Sequence, residues 1–230
     1  MAKASIFDID KQFTFYGAYH ANPVNVAVHI TFVPILLWTG FVIGAHVPWD
    51  EWGLPSYHKI FFDQSFTNPL ALIPFVEGLV NRNVQLTAAF DLNWSSVVAL
   101  SMLSFWYTLE PLAAFLYTPL MASMTLTSLG YSHQEGHLKP AVIIHIVSWI
   151  MQVLAHQIFE GRAPALLDNL VQAIALAPFF VFLEVLYMLG YKPALHKRIQ
   201  NEIGKEITRV RKAEGSKRRA TEAAVSSKND

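Results

Sequence analysis

The chain of 230 residues is 53% hydrophobic and only 15% charged, with a mean hydropathy of +0.33; soluble domains carry about 25% charged residues, so the composition argues for a membrane protein. With no cysteine, disulfides, thiolate metal sites and a cysteine nucleophile are excluded, and any metal must use nitrogen or oxygen ligands, for which nine histidines are available. The net charge of zero hides an asymmetry, because residues 196–230 hold ten of the seventeen Lys and Arg but five of the seventeen Asp and Glu; the basic end is a tail, and no nucleic-acid partner is expected.

The first twenty residues, with Asp8, Asp10 and Lys11, lack the apolar run and small-residue cleavage site of a signal peptide. Membrane entry is therefore expected through internal spans. The aromatic run FTFYGAYH, residues 13–20, leads to His20-Ala21-Asn22-Pro23, where Asn is a good helix N-cap and Pro a favoured first helical residue. A helix is expected from Pro23 to about His46, long enough to span roughly 30 Å of hydrocarbon, with Asn25 and His29 sharing a face near its start. Residues 47–68 read as an interfacial loop, with Trp49, Trp52 and Tyr57 suited to the headgroup zone and His58 an ordinary surface residue. Residues 69–93 read as a helix lying at the surface or dipping partway in. Two apolar segments, Trp94 to about Tyr107 and Pro111 to Leu129, flank Glu110-Pro111 as a helical hairpin. The hydrophilic break GYSHQEGHLKP, residues 130–140, reads as a loop with exposed His133 and His137, whose i, i+4 spacing would grip a metal only on a helix.

The stretch HIVSWIMQVLAHQIFEGRAPA, His145 to Ala165, sets a polar stripe on a membrane-grade helix expected over Ala141 to Phe159. At about 100° per residue, His145, Trp149, Gln152, His156 and Glu160 share one face. The other faces carry Ile146, Val147, Ile150, Met151, Val153, Leu154 and Ile158, which suit lipid or apolar helices. A hydrocarbon-facing imidazole or carboxylate is expensive, so the stripe is expected to point into the protein and to mark a site; the blander alternative is a row of satisfied core hydrogen bonds. Gly161 is a natural terminator. A last apolar segment, Asn169 to Gly190, contains Pro178 and Glu184, an acid that must be sheltered, and is expected to re-enter without crossing. Beyond Pro193, Leu195, Ile199, Ile203, Ile207 and Val210 form an apolar stripe among basic residues, as in a helix on an anionic membrane surface or in a merely solvated helix, and residues 214–230 are expected to be disordered. The expected fold class is all-α: a polytopic membrane helical bundle of four to five apolar helices with a basic amphipathic C-terminal helix, divided into a membrane-embedded domain, residues 1–193, and a tail, residues 194–230.

Geometry limits which polar groups form one site. His145 and His156 share a face but stand about 16 Å apart along the helix, too far for one ion held at about 2 Å; His145 belongs in an outer layer. His156 and Glu160, one turn apart, reach a common point. If the spans are 24–46, 94–109, 111–129 and 141–159, the start of the first and the end of the fourth lie on one membrane side, so His20, Asn25 and His29 would meet His156 and Glu160. Neutral imidazoles with one carboxylate suit Fe(II), Zn(II) or Mn(II). On iron with open positions such a set would activate O₂, and on zinc more often water; the greasy surroundings suggest an acyl-chain substrate. The alternatives are a metal-dependent lipid hydrolase and a non-catalytic scaffold or lipid-binding protein in which the histidines stabilise helix contacts.

The stretches YHANPVNVAVH at the first helix and SWIMQVLAHQIFEGRAPALLDNLVQAIALAPFF at the later one resemble the two signature blocks of the 2-hydroxy fatty acid dioxygenase family, over about Phe13 to Tyr191. The resemblance implies a multi-pass endoplasmic reticulum membrane enzyme that uses Fe(II) and O₂ to remove one carbon from long-chain 2-hydroxy fatty acids by α-oxidation, in phytosphingosine degradation. It also implies metal ligands at His20, His29 and His156, with Glu160, Arg162 and Pro164 completing the second block. Arg162 is then expected to pair with the substrate carboxylate or to cap the helix, Gln152 to hydrogen-bond within the site and Trp149 to pack. The segment from Pro48 to Asn93 is longer than the family's short connection, and His133, His137 and His145 have no counterpart in the motif.

Overall fold

The computed structural model describes residues 7–69, 74, 83–161 and 170–229. Helix α1, Ile9–Tyr19, is capped by Asp8, whose side chain accepts from the Lys11 N–H. Three residues later Asn22 accepts the Val24 N–H at 2.9 Å. This satisfies one of the donors that a helix start leaves open, and α2 runs over Pro23–Gly44 as its cap predicts. Strands β1, His58–Thr67, and β2, Asn83–Asp91, pair antiparallel. Helices α3, Trp94–Leu109, α4, Pro111–Ser132, α5, Leu138–Ala155, α6, Leu170–Met188, and α7, Pro193–Asn229, complete the described elements. The class is all-α with one small hairpin. Pro23–Gly44, Pro111–Ser132 and Leu138–Glu160 are long and apolar enough to cross a membrane, and the bent pair Ile174–Met188 with Pro193–Ala213 adds a fourth if it counts as one span. Helix α3, with 16 residues, falls short.

The chain divides into two compact units, residues 1–27 with 155–230 and residues 28–154.

In the first unit α1 packs on α6 and α7. Phe13, fully buried, meets Phe180 and Tyr187 edge to face at centroid distances of 5.0 and 5.5 Å, a favoured aromatic geometry. Ile199 and Ile203 of α7 are buried, and a Cβ on Gly17 would stand 2.2 Å from the Ile203 Cδ1. The apolar stripe expected to lie on lipid is thus partly spent on α1. Helix α7 also continues to Asn229 where disorder was expected over 214–230; its Ala, Lys, Arg and Glu are strong helix formers.

In the second unit α3 and α4 form the expected hairpin: Glu110 ends one helix and precedes the other, and Trp106 meets Tyr117 at 4.9 Å. Of the helix expected within 69–93, residues 70–73 and 75–82 lie outside the described residues and Asn83–Asp91 is corrected to β2, while the loop expected over 47–68 gives way to β1 from His58. Val84, Thr87 and Phe90 are strand formers, and pairing satisfies a backbone that an apolar surface segment would leave exposed. Gly130 of α4 lets that helix reach β2, since a Cβ there would lie 2.1 Å from the Thr87 carbonyl oxygen. On α5 Ser148 and Gln152 are buried, whereas Ile143, Ile144, Ile146, Val147, Ile150 and Leu154 are exposed, so the polar stripe faces inward as expected.

Candidate metal centre

The polar stripe ends in a change of helix type. From His156 to Glu160 the helix widens into one π turn and stops at Gly161, whose φ of 67° is the left-handed conformation that glycine tolerates. Such single π turns recur at functional sites. The turn presents two groups to the segment around the start of α2. Glu160 Oε1 accepts the Asn22 N–H at 2.8 Å and the Asn25 Nδ2 at 3.1 Å, and the Phe159 carbonyl accepts from Asn22 Nδ2 at 3.3 Å. The carboxylate thereby pins the entry of α2, where an anion also complements the helix dipole. The His156 ring, 3% exposed, stands edge-on to His20 at 4.7 Å.

His20 ends α1 and stacks on Tyr16 at 3.9 Å. Its Nδ1 donates to the Tyr16 carbonyl at 2.8 Å, because a carbonyl only accepts. The neutral ring therefore carries its lone pair on Nε2, and the outer hydrogen bond fixes its orientation, as is usual for a ligating histidine. Burial, and secondarily Glu184, push the Tyr16 phenol well above its ordinary pKa, so it stays neutral. His29, buried, stands one turn beyond Asn25 on the same unbroken helix; its place follows from α2 itself. Two of the three expected ligands, His20 and His156, thus face each other within the first unit, with the His20 tautomer already fixed, and imidazole donors suit a divalent transition metal.

Glu160 is absent from that group, its Oε1 being occupied by Asn22 and Asn25. Gln152 is buried and donates to the Ser148 carbonyl at 3.2 Å. Arg162 and Pro164 lie outside the described residues. His145 is committed elsewhere: its Nε2 accepts from Trp149 Nε1 at 3.2 Å and its Nδ1 bonds Thr39 Oγ1 at 2.9 Å. His133 and His137 do not act as a pair, since His133 meets Asp91 and His137 Nε2 lies 2.8 Å from His46 Nε2. His58, read as ordinary surface, also bonds Asp91; no local sequence signal joins residues so far apart.

A cavity of about 390 Å³ in the first unit is lined by Gly17, His20, Val26, Glu184, Met188 and Ile203 among others. Glu184, the acid that needed shelter, finds it here. Tyr16 and Asn22 were legible only as parts of an aromatic run and a cap, and their roles beside His20 and Glu160 emerge from the fold.

A family model described as 2-hydroxy-palmitic acid dioxygenase Mpo1-like matches residues 6–189. The chain belongs to this family. The Mpo1-like match takes in α1 through α6 and stops before α7. The Saccharomyces cerevisiae protein named 2-hydroxy-palmitic acid dioxygenase MPO1 is 28% identical over 202 residues, which cover 86% of this chain and 91% of the yeast protein. No solved structure matches the chain.

Proposed function

We propose that this Mpo1-like protein is an Fe(II)-dependent dioxygenase that shortens long-chain 2-hydroxy fatty acids by one carbon, with His20, His29 and His156 holding the iron. The observation that supports this reading is the pairing of the His20 and His156 rings, edge-on at 4.7 Å, in a chain whose yeast relative is named a 2-hydroxy-palmitic acid dioxygenase.

The reaction balances without a further reductant. A 2-hydroxy acid and O₂ give the acid one carbon shorter, CO₂ and water: the C1–C2 bond breaks, C2 becomes the new carboxyl carbon, and the four electrons lost by C1 and C2 reduce O₂. Iron supplies the redox centre for O₂ and a Lewis-acidic point for the substrate's oxygens. The chain supplies position. Tyr16 holds His20 in one tautomer, Glu160 ties the π turn to the start of α2, and the cavity beside His20 takes the acyl chain along Val26, Met188 and Ile203. Arg162, two residues beyond Glu160, pairs with the substrate carboxylate. The expected setting is the endoplasmic reticulum membrane, in phytosphingosine breakdown.

The test is iron content and O₂ uptake of the purified protein with 2-hydroxypalmitate. Near-equimolar iron and substrate-dependent uptake are expected, both lost in His156→Ala. Unchanged iron and turnover in that variant would overturn the ligand assignment, and zinc with no uptake would favour hydrolysis.

A further inference from the structure

The second unit contains another convergence of nitrogen and oxygen donors. His58 opens β1 and is the cross-strand partner of Asp91, the last residue of β2. His133 follows the last turn of α4. Asp91 divides its two oxygens between them, Oδ1 meeting His58 Nδ1 and Oδ2 meeting His133 Nε2 at 2.7 Å. The two rings stand 4.7 Å apart, and one donor atom from each of the three residues lies within 4.8 Å of the others. The Asp91 side chain is 15% exposed while the histidines are about half exposed, at 49% and 45%, so an ion would reach the group from solvent and keep water among its ligands. Among the described residues no Lys or Arg pairs with Asp91.

Packing holds the three donors where they are. The strand register sets His58 opposite Asp91. The close approach of Gly130 to the Thr87 backbone seats the end of α4 on β2, three residues before His133. A further hydrogen bond, from Gln134 Nε2 to the Gln85 carbonyl at 3.1 Å, ties the segment after α4 to the same strand. The donors thus come from three elements already in register, which lowers the ordering cost of binding.

We propose that His58, Asp91 and His133 form a second divalent-cation site, of the zinc class, that clips the hairpin to the end of α4. Two imidazoles and one carboxylate with an open position is a donor set that zinc accepts in tetrahedral geometry. The site shares no residue with His20, His29 and His156, so it stands or falls independently of the proposed activity.

The test uses the tag-free full chain in nanodiscs, stripped with chelator and titrated with Zn(II), with bound metal counted and thermal unfolding followed. Wild type is expected to bind one more equivalent than His133→Ala or Asp91→Asn, with affinity at the site falling at least about 100-fold in either variant, since removing a ligand costs no less than disturbing its outer partners. His156→Ala keeps that equivalent. Zinc should raise the melting temperature of wild type more than that of His133→Ala, and Co(II) should give stronger visible d–d absorption in wild type than in this variant. If Asp91→Asn fails to fold, His133→Gln gives the same comparison with the strand pair intact. Equal zinc stoichiometry and affinity in wild type and His133→Ala would overturn the proposal.

Discussion

Glu160 allows a sharp separation of two roles. As an iron ligand it would coordinate through a carboxylate oxygen; as a clamp it holds the Asn22 N–H at 2.8 Å and Asn25 Nδ2 at 3.1 Å. Hydrogen bonds to a charged acceptor contribute about 1.5–3 kcal/mol each, and the residue is only half-buried, so the lower end applies and Glu160→Ala is expected to cost about 3 kcal/mol. Glu160→Gln keeps an oxygen facing both donors and loses charge assistance and the helix-dipole contribution, about 1 kcal/mol. The clamp reading therefore predicts graded stability loss, Ala well beyond Gln. It also predicts that Glu160→Gln retains near-equimolar iron with turnover reduced no more than about tenfold, the mild end of outer-layer effects. Unfolding in mixed micelles gives the stabilities, and metal analysis with O₂ uptake gives the rest. A Glu160→Gln protein as stable as expected but as empty of iron as His156→Ala would refute the clamp and return Glu160 to the ligand set.

Gly130→Ala is expected to cost about 3 kcal/mol and Gly17→Ala about 1 kcal/mol, within the usual range for overpacking, because the first Cβ meets the Thr87 backbone and the second the rotatable end of Ile203; equal unfolding midpoints would contradict this. Thr39→Val removes the partner of His145 Nδ1 and is expected to destabilise by about 1–3 kcal/mol with metal content unchanged, so loss of metal would contradict the placing of His145 outside the ligand set. Hydrogen bonds from Gln85 and Thr87 hold the Asp63 carboxyl below its ordinary value of 3.8. A depressed carboxyl contributes stability above its unfolded pKa that is lost as pH falls through the folded one, so amide-exchange protection in the hairpin should decline below about pH 4. Asp63→Ala should flatten that decline, and an unchanged acid profile would contradict the linkage.

The helices were legible because their signals are local. Asn22-Pro23 marks a start, Glu110-Pro111 a hairpin corner and Gly161 a stop, and each appears at that position in the fold. The inward stripe of α5 was legible for a physical reason as well, since polar groups on a membrane-grade helix have nowhere else to go. The hairpin was not. Its β1 exposes Ile60, Phe61, Phe62 and Phe66, without the alternation that announces a half-buried strand, and its register shifts between Ile60 and Phe62. Aromatic content alone reads equally well as a membrane interface.

The two histidine clusters differ in the same way. His29 falls on the buried face of a capped helix and His156 on the polar stripe of another, so periodicity marked both as candidates, while His20 stands at the end of α1. His58 and His133 lie at the ends of elements, where periodicity carries no information, and their neighbour Asp91 is brought to them by cross-strand register and by Gly130. A cluster assembled by helix faces can be read from spacing, whereas one assembled by register requires the pairing partner, which for His58 lies 33 residues away. The same distinction shows in exposure: His156 is buried, whereas His58 and His133 stand about half exposed at the base of the hairpin.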